Sequence, residues 1–204
     1  YIASGTMHIL SVSGLHVAII YMIINFLLAS LNRNKRLKIL KVSIIIVFLW
    51  VYGFITGLSP SVLRSCAMFS FIVIGDNLNR RTNTYNTLAT SAFVLLLINP
   101  TLIYDIGFQL SYMAVASIVF FQPRLTALIP VENKILKYIW ELITVSIAAQ
   151  LGTTPISLFY FHQFPTYFLL SNILIVPLSG FVLYFAFAFF CLSWIPLLSN
   201  LLAL

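Results

Sequence analysis

The chain has 204 residues, 61% of them hydrophobic and 7% charged, with a formal net charge of +7 and a mean hydropathy of +1.06. An ordinary soluble domain is about 45–50% apolar and about 25% charged. The composition therefore excludes a soluble globular enzyme, a disordered tail and a disulfide-stapled secreted module, and points to a polytopic membrane protein.

A membrane span needs about 20 residues, so the chain has room for roughly seven. Apolar runs fall at 11–31, 39–57, 61–75, 84–98, 107–122, 138–160 and 167–195. Arg33 to Lys38 separates the first two runs, and Gly57-Leu58-Ser59-Pro60 is a tight turn with Pro60 placed to open a helix. A polar loop runs from Asp76 to Thr82, Asn99-Pro100 ends the fourth span, and Pro123 to Lys137 is expected to be the longest loop. Lipid leaves the backbone only helices or a closed barrel, and runs such as Phe181 to Leu192 lack barrel alternation. The expected fold is all-α, a bundle of about seven spans forming one domain over residues 1–204. It reads as a fragment of a longer protein.

Charge assigns the sides. Ten of the eleven basic residues fall in or beside the connections after spans one, three and five: Arg33, Lys35, Arg36, Lys38, Lys41, Arg80, Arg81, Arg124, Lys134 and Lys137. With seven spans these connections share one side, which the positive-inside rule makes cytoplasmic. Most of the positive charge is then topology.

The other side collects polar groups. His8, Ser11, Ser13 and His16 open span one, and Ser59, Ser61, Arg64 and Ser65 open span three. Asp105, Gln109 and Ser111 lead into span five. In span six, Ser146, Gln150, Thr153 and Ser157 recur at helical spacing. Polar groups at membrane depth usually face the bundle interior or water, so an outward polar vestibule is expected. Gly107, Ser111, Ala114 and Ser117 read instead as a helix-packing stripe. Arg64 and Asp105 are the single residues of their sign on this side, and an ion pair between them is expected.

His8 and His16 lack a neighbouring acid or cysteine, so no metal site is expected. Ser13 and His16 stand at i and i+3, but no third group orients the histidine as a catalytic base. Their expected role is local, at a helix mouth that attracts anions. Gly152 and Pro155 in span six, and Pro177 and Gly180 in the last run, read as helix breaks, giving broken or re-entrant helices near the C-terminal half.

Four blocks in order carry a family resemblance. Leu10-Ser11-Val12-Ser13-Gly14-Leu15-His16-Val17 resembles the signature of the ComEC competence proteins. Gly57 to Ser65 resembles the second block of that family, and Asn99-Pro100 with Asp105 to Ser111 is similar to the third. Thr154-Pro155, Phe161 to Phe164, Ser171-Asn172 and Val176-Pro177 resemble the last. The resemblance implies a multi-pass channel in the bacterial cytoplasmic membrane that passes single-stranded DNA inward during natural transformation. It also implies a cytosolic DNA-translocating ATPase and DNA-delivery proteins as partners, with a homo-oligomer allowed.

Many family members carry a metallo-β-lactamase-like domain elsewhere. These residues hold no such metal motif and no glycine-rich ATP loop, so no enzyme activity and no cofactor are expected of this segment. On this reading Ser13, His16, Arg64, Gln109 and Gln150 line the DNA pathway. Tyr52, Tyr104, Phe108, Tyr112, Tyr160 and Phe161 are candidates for base stacking, or for an interfacial aromatic belt. Two other classes stay open: a small-solute or ion carrier with discontinuous helices, and a structural membrane anchor for another domain.

Overall fold

The computed structural model describes residues 14–29, 31, 34–78, 83–162 and 168–193. Among them are seven α-helices: α1 (Gly14–Leu27), α2 (Lys35–Ile55), α3 (Pro60–Asn77), α4 (Thr84–Ile98), α5 (Ile106–Ala127), α6 (Lys134–Phe161) and α7 (Phe168–Ser193). A short 3-10 turn, Pro100–Tyr104, joins α4 to α5. The protein is a helical membrane bundle.

Local chemistry sets the helix ends. Pro60 takes the first turn of α3, where its missing N–H costs nothing. Asn83, Asp105 and Asn133 cap α4, α5 and α6 by accepting from Tyr85, Phe108 and Ile135 N–H at 3.0, 2.8 and 3.0 Å. Such caps contribute about 1 kcal/mol each. Between α2 and α3 the chain reverses through two left-handed residues, Gly57 (φ 81°) and Leu58 (φ 51°).

Contacts between side chains fix the directions. Gly14 lies against Ser65, Tyr21 stacks on Phe69 at 5.0 Å, and Asn25 shares a cavity with Asp76, so α1 runs parallel to α3. Gly53 meets Cys66 while Lys38 reaches the Asp76 carbonyl, so α2 runs antiparallel to α3. Gly107 approaches Pro60 and Ser111 meets Arg64, which makes α5 parallel to α3. Tyr85 reaches Val119 and Ser91 reaches Tyr112, so α4 opposes α5. Trp140 donates to the Thr126 carbonyl and Gly152 sits on Ser117, so α6 opposes α5 too. The helix ends that flank the basic segments therefore gather at one end of the bundle. The starts of α1, α3 and α5 gather at the other.

Helix α3 is the hub, packed against α1, α2, α4 and α5. It buries Val62, Ser65, Cys66, Ala67, Met68, Ser70 and Val73. One apolar cluster, Val17, Ile45, Leu49, Val62, Cys66 and Val73, ties α1 and α2 to it. A second, Ala67, Leu95 and Phe108, ties in α4 and α5. Among the described residues, three helical stretches are long and apolar enough to cross a membrane by themselves: Arg36–Ile55, Ile106–Ala127 and Lys134–Phe161. The hub is less apolar because protein surrounds it. Phe26 and Phe93, by contrast, are 80% and 64% exposed, and an apolar perimeter of this kind suits lipid rather than water.

The expected helix breaks are not found. Helix α6 runs without interruption through Gly152 and Pro155, and α7 through Pro177 and Gly180. Beside Pro155, the hydroxyls of Thr153 and Thr154 bond the Ala149 and Gln150 carbonyls one turn back along the same helix, at 3.0 and 2.6 Å. Gly152 is a packing residue: a Cβ there would lie 1.8 Å from Ser117 Oγ and 2.9 Å from the Met113 carbonyl oxygen. At Gly180 a Cβ would meet nothing within 4 Å.

The expected long loop at Pro123 is also shorter, because α5 continues through Pro123 to Ala127. Proline removes the hydrogen bond to the carbonyl four residues back, that of Val119. The Tyr85 hydroxyl donates to that carbonyl at 3.3 Å, so the helix is repaired from its neighbour.

Candidate functional site

The end where α1, α3 and α5 begin holds most of the residues expected to be functional. Arg64 lies one turn into α3 and is half-buried. Its Nε donates to Ser111 Oγ of α5 at 2.6 Å, and its Nη1 lies 3.4 Å from Met68 Sδ. Gly14 lets α1 close over this group, since a Cβ there would sit 3.2 Å from Arg64 Nη2 and 2.6 Å from Ser65 Oγ. Three helices thus meet at one guanidinium, near the ends where they begin. Each start carries about half a positive charge.

The expected pair with Asp105 is not formed. Asp105 is exposed, and its Oδ1 accepts the Phe108 N–H at 2.8 Å as the cap of α5. A carboxylate engaged by its own helix start leaves the arginine to hydroxyl and thioether partners. All four acidic residues, Asp76, Asp105, Glu132 and Glu141, are among the described residues, and none forms an ion pair with Arg64.

The other expected pathway residues divide. His16 stands half-buried in the first turn of α1, two residues from the Gly14 contact. Ser13 lies outside the described residues. Gln109 turns back to donate to the Ile103 carbonyl at 2.8 Å, fastening the 3-10 turn. Gln150 belongs to α6, which packs on α5 and α7, and no contact joins its side chain to Arg64 among the described residues. Its half-buried amide has no hydrogen-bond partner among the described side chains.

On the same stripe, Ser146 accepts from Asn172 of α7 at 3.3 Å, so this end of the stripe joins two helices. The small-residue stripe of α5 also serves two neighbours: Ser111 faces α3 and Ser117 faces α6. A residue that the sequence did not single out is Ser91, which bonds the hydroxyl of Tyr112, the neighbour of Ser111, at 3.0 Å. Of the aromatic candidates, Phe108 is buried and packs on Tyr112 at 4.5 Å, whereas Tyr104 is 82% exposed. No group of three or more metal-ligating side chains occurs among the described residues.

Residues 1–204 match the family described as competence protein. The chain belongs to that family. It is similar to ComE operon protein 3 of Bacillus subtilis (strain 168), with 33% identity over 178 residues, which is 87% of this chain and 22% of that relative. The chain thus spans less than a quarter of the relative's length. No solved structure matches it. Competence-family membership agrees with the four sequence blocks, whose described parts include both sides of the Arg64 contact, Gly14 in the first block and Ser111 in the third.

Proposed function

We propose that this chain is a multi-pass part of the bacterial cytoplasmic membrane through which one DNA strand enters the cell in natural transformation. The observation that carries the reading is Arg64: a half-buried guanidinium with no carboxylate partner, held where α1, α3 and α5 meet. A lone charge within a membrane bundle is costly and marks a pathway or a ligand. A phosphodiester would supply the missing negative charge, and the helix starts would reinforce its attraction. This lessens the difficulty that one arginine is sparse for a polyanion. A single strong contact also suits a strand that must slide on rather than bind tightly.

The Arg64 end would face outward and the basic loops the cytoplasm. The strand would pass Gly14, His16, Arg64 and Ser111. The segment would act as a conduit without catalysis or cofactor. A cytosolic ATPase would drive transfer, and DNA-delivery proteins would present the strand.

The test is transformation frequency measured beside membrane abundance for Arg64→Met. Removing a charge that has no carboxylate partner should leave abundance equal or higher. Loss of a charge-assisted contact of about 1.5–3 kcal/mol should slow transfer by about tenfold or more. Normal transfer at normal abundance refutes the reading. A loss of transfer fully explained by lost protein favours a structural anchor.

A further inference from the structure

At the opposite end of the bundle, α1, α2 and α3 enclose a cavity of about 410 Å³. Its floor is apolar: Val42, Ile45 and Val73, with Ile45 and Val73 buried. Its polar wall is Tyr21, Asn25, Lys38, Lys41, Asp76 and Asn77. Lys38 and Lys41 stand at i and i+3 on one face of α2. Lys38 Nζ donates to the Asp76 carbonyl at 3.3 Å, where α3 ends and its carbonyls lack helical partners. Lys41 lies deeper and is 7% exposed, an unusual burial for lysine.

We propose that this cavity binds the headgroup of an anionic, hydroxyl-bearing phospholipid of the phosphatidylglycerol type. Two lysines against one aspartate leave one net positive charge, which matches one phosphodiester. The headgroup hydroxyls would donate to the Asp76 carboxylate, a group that a bare phosphate would not use, and pair with Asn25 and Asn77. A zwitterionic headgroup would bring an ammonium against the two lysines. The volume lies within the usual range for small-ligand pockets, about 300–1,000 Å³. The apolar floor of Val42, Ile45 and Val73 would take the upper acyl carbons, which a DNA strand does not supply. Basic pockets between membrane helices at the end that carries the basic loops recognise lipid headgroups by this chemistry. The proposal does not rest on the DNA reading, because it concerns other residues at the other end.

The experiment uses the full-length protein purified in detergent. It is titrated separately with phosphatidylglycerol, phosphatidylethanolamine, phosphatidylcholine and a short single-stranded oligonucleotide, with the unfolding midpoint as readout. Phosphatidylglycerol should raise the midpoint and saturate, and the two zwitterionic lipids should not. Lys41→Gln endangers the fold because its stem is buried, so Lys38→Gln at a half-exposed position carries the test. It should weaken the phosphatidylglycerol response about fivefold, beyond the small fall in the lipid-free midpoint that loss of the Asp76 contact brings. Equal responses to all three lipids overturn the proposal, as does a Lys38→Gln variant with undiminished affinity. A response to the oligonucleotide alone, lost in Lys38→Gln, overturns it in favour of a nucleic-acid site.

Discussion

Replacing Gly152 by alanine separates two accounts of the same residue. If Gly152 marked a helix break, a Cβ would extend the helix and stabilise it by about 1 kcal/mol, the ordinary difference between glycine and alanine. The packing points the other way. The added carbon would meet Ser117 Oγ at 1.8 Å, Ser117 Cβ at 2.6 Å and the Met113 carbonyl oxygen at 2.9 Å. Rotating Ser117 removes only the first contact, since its Cβ and the α5 backbone stay in place. Helix α6 must therefore lift from α5 along their extensive shared face. Overpacking of this kind costs about 1–3 kcal/mol. With the propensity gain deducted, Gly152→Ala should destabilise by up to about 2 kcal/mol. Ser117→Gly in the same chain removes both side-chain clashes, and the pair should show a favourable coupling of at least about 0.5 kcal/mol in a double-mutant cycle. The assay is reversible unfolding of the purified protein in mixed micelles. A Gly152→Ala variant more stable than the native protein, with no coupling to Ser117, would refute the packing argument and reinstate the break.

Three further outcomes follow from the same contacts. Tyr85→Phe leaves the Val119 carbonyl without its donor beside Pro123, and should cost about 1–3 kcal/mol by thermal unfolding. Asp105→Asn should be nearly neutral for membrane abundance, because asparagine caps helices as well as aspartate, whereas Asp105→Ala should cost about 1 kcal/mol; equal damage from both would restore an ion-pair role. A cysteine at exposed Glu132, between α5 and α6, should be labelled only from the cytoplasmic side, and one at Ser59 only from outside; the reverse pattern inverts the proposed topology.

The periodicity of apolar runs located all seven helices, because lipid removes most alternatives for the backbone. Boundaries moved where a side chain elsewhere altered the local rule. Pro123 reads as a stop, yet Tyr85 from another helix takes over the orphaned carbonyl and α5 continues. Gly152-Thr153-Thr154-Pro155 reads as a break, yet α6 stays whole and Gly152 instead serves its close approach to Ser117 of α5.

At the candidate site, Arg64 stood out as the single basic residue away from the basic loops. Its partner did not. Counting charges favours Asp105, but the geometry of a helix start claims that carboxylate first, and Ser111 was visible as one vestibule hydroxyl among several and as part of a packing stripe. Gln150 shared the membrane level expected of the other residues, but periodicity within one helix does not say which neighbour its face meets. The cavity at Lys38 and Lys41 was hidden inside a basic cluster that topology alone accounts for.

The most direct measurement places a photo-crosslinking residue at position 111 of the full-length protein and arrests labelled DNA during uptake. Position 93, where Phe93 is 64% exposed on the apolar perimeter, serves as the control. If the strand passes Arg64, position 111 should capture it, position 93 should not, and Arg64→Met should abolish the capture at unchanged protein abundance. Capture at neither position, or equal capture with and without Arg64, would contradict a DNA path at this end of the bundle.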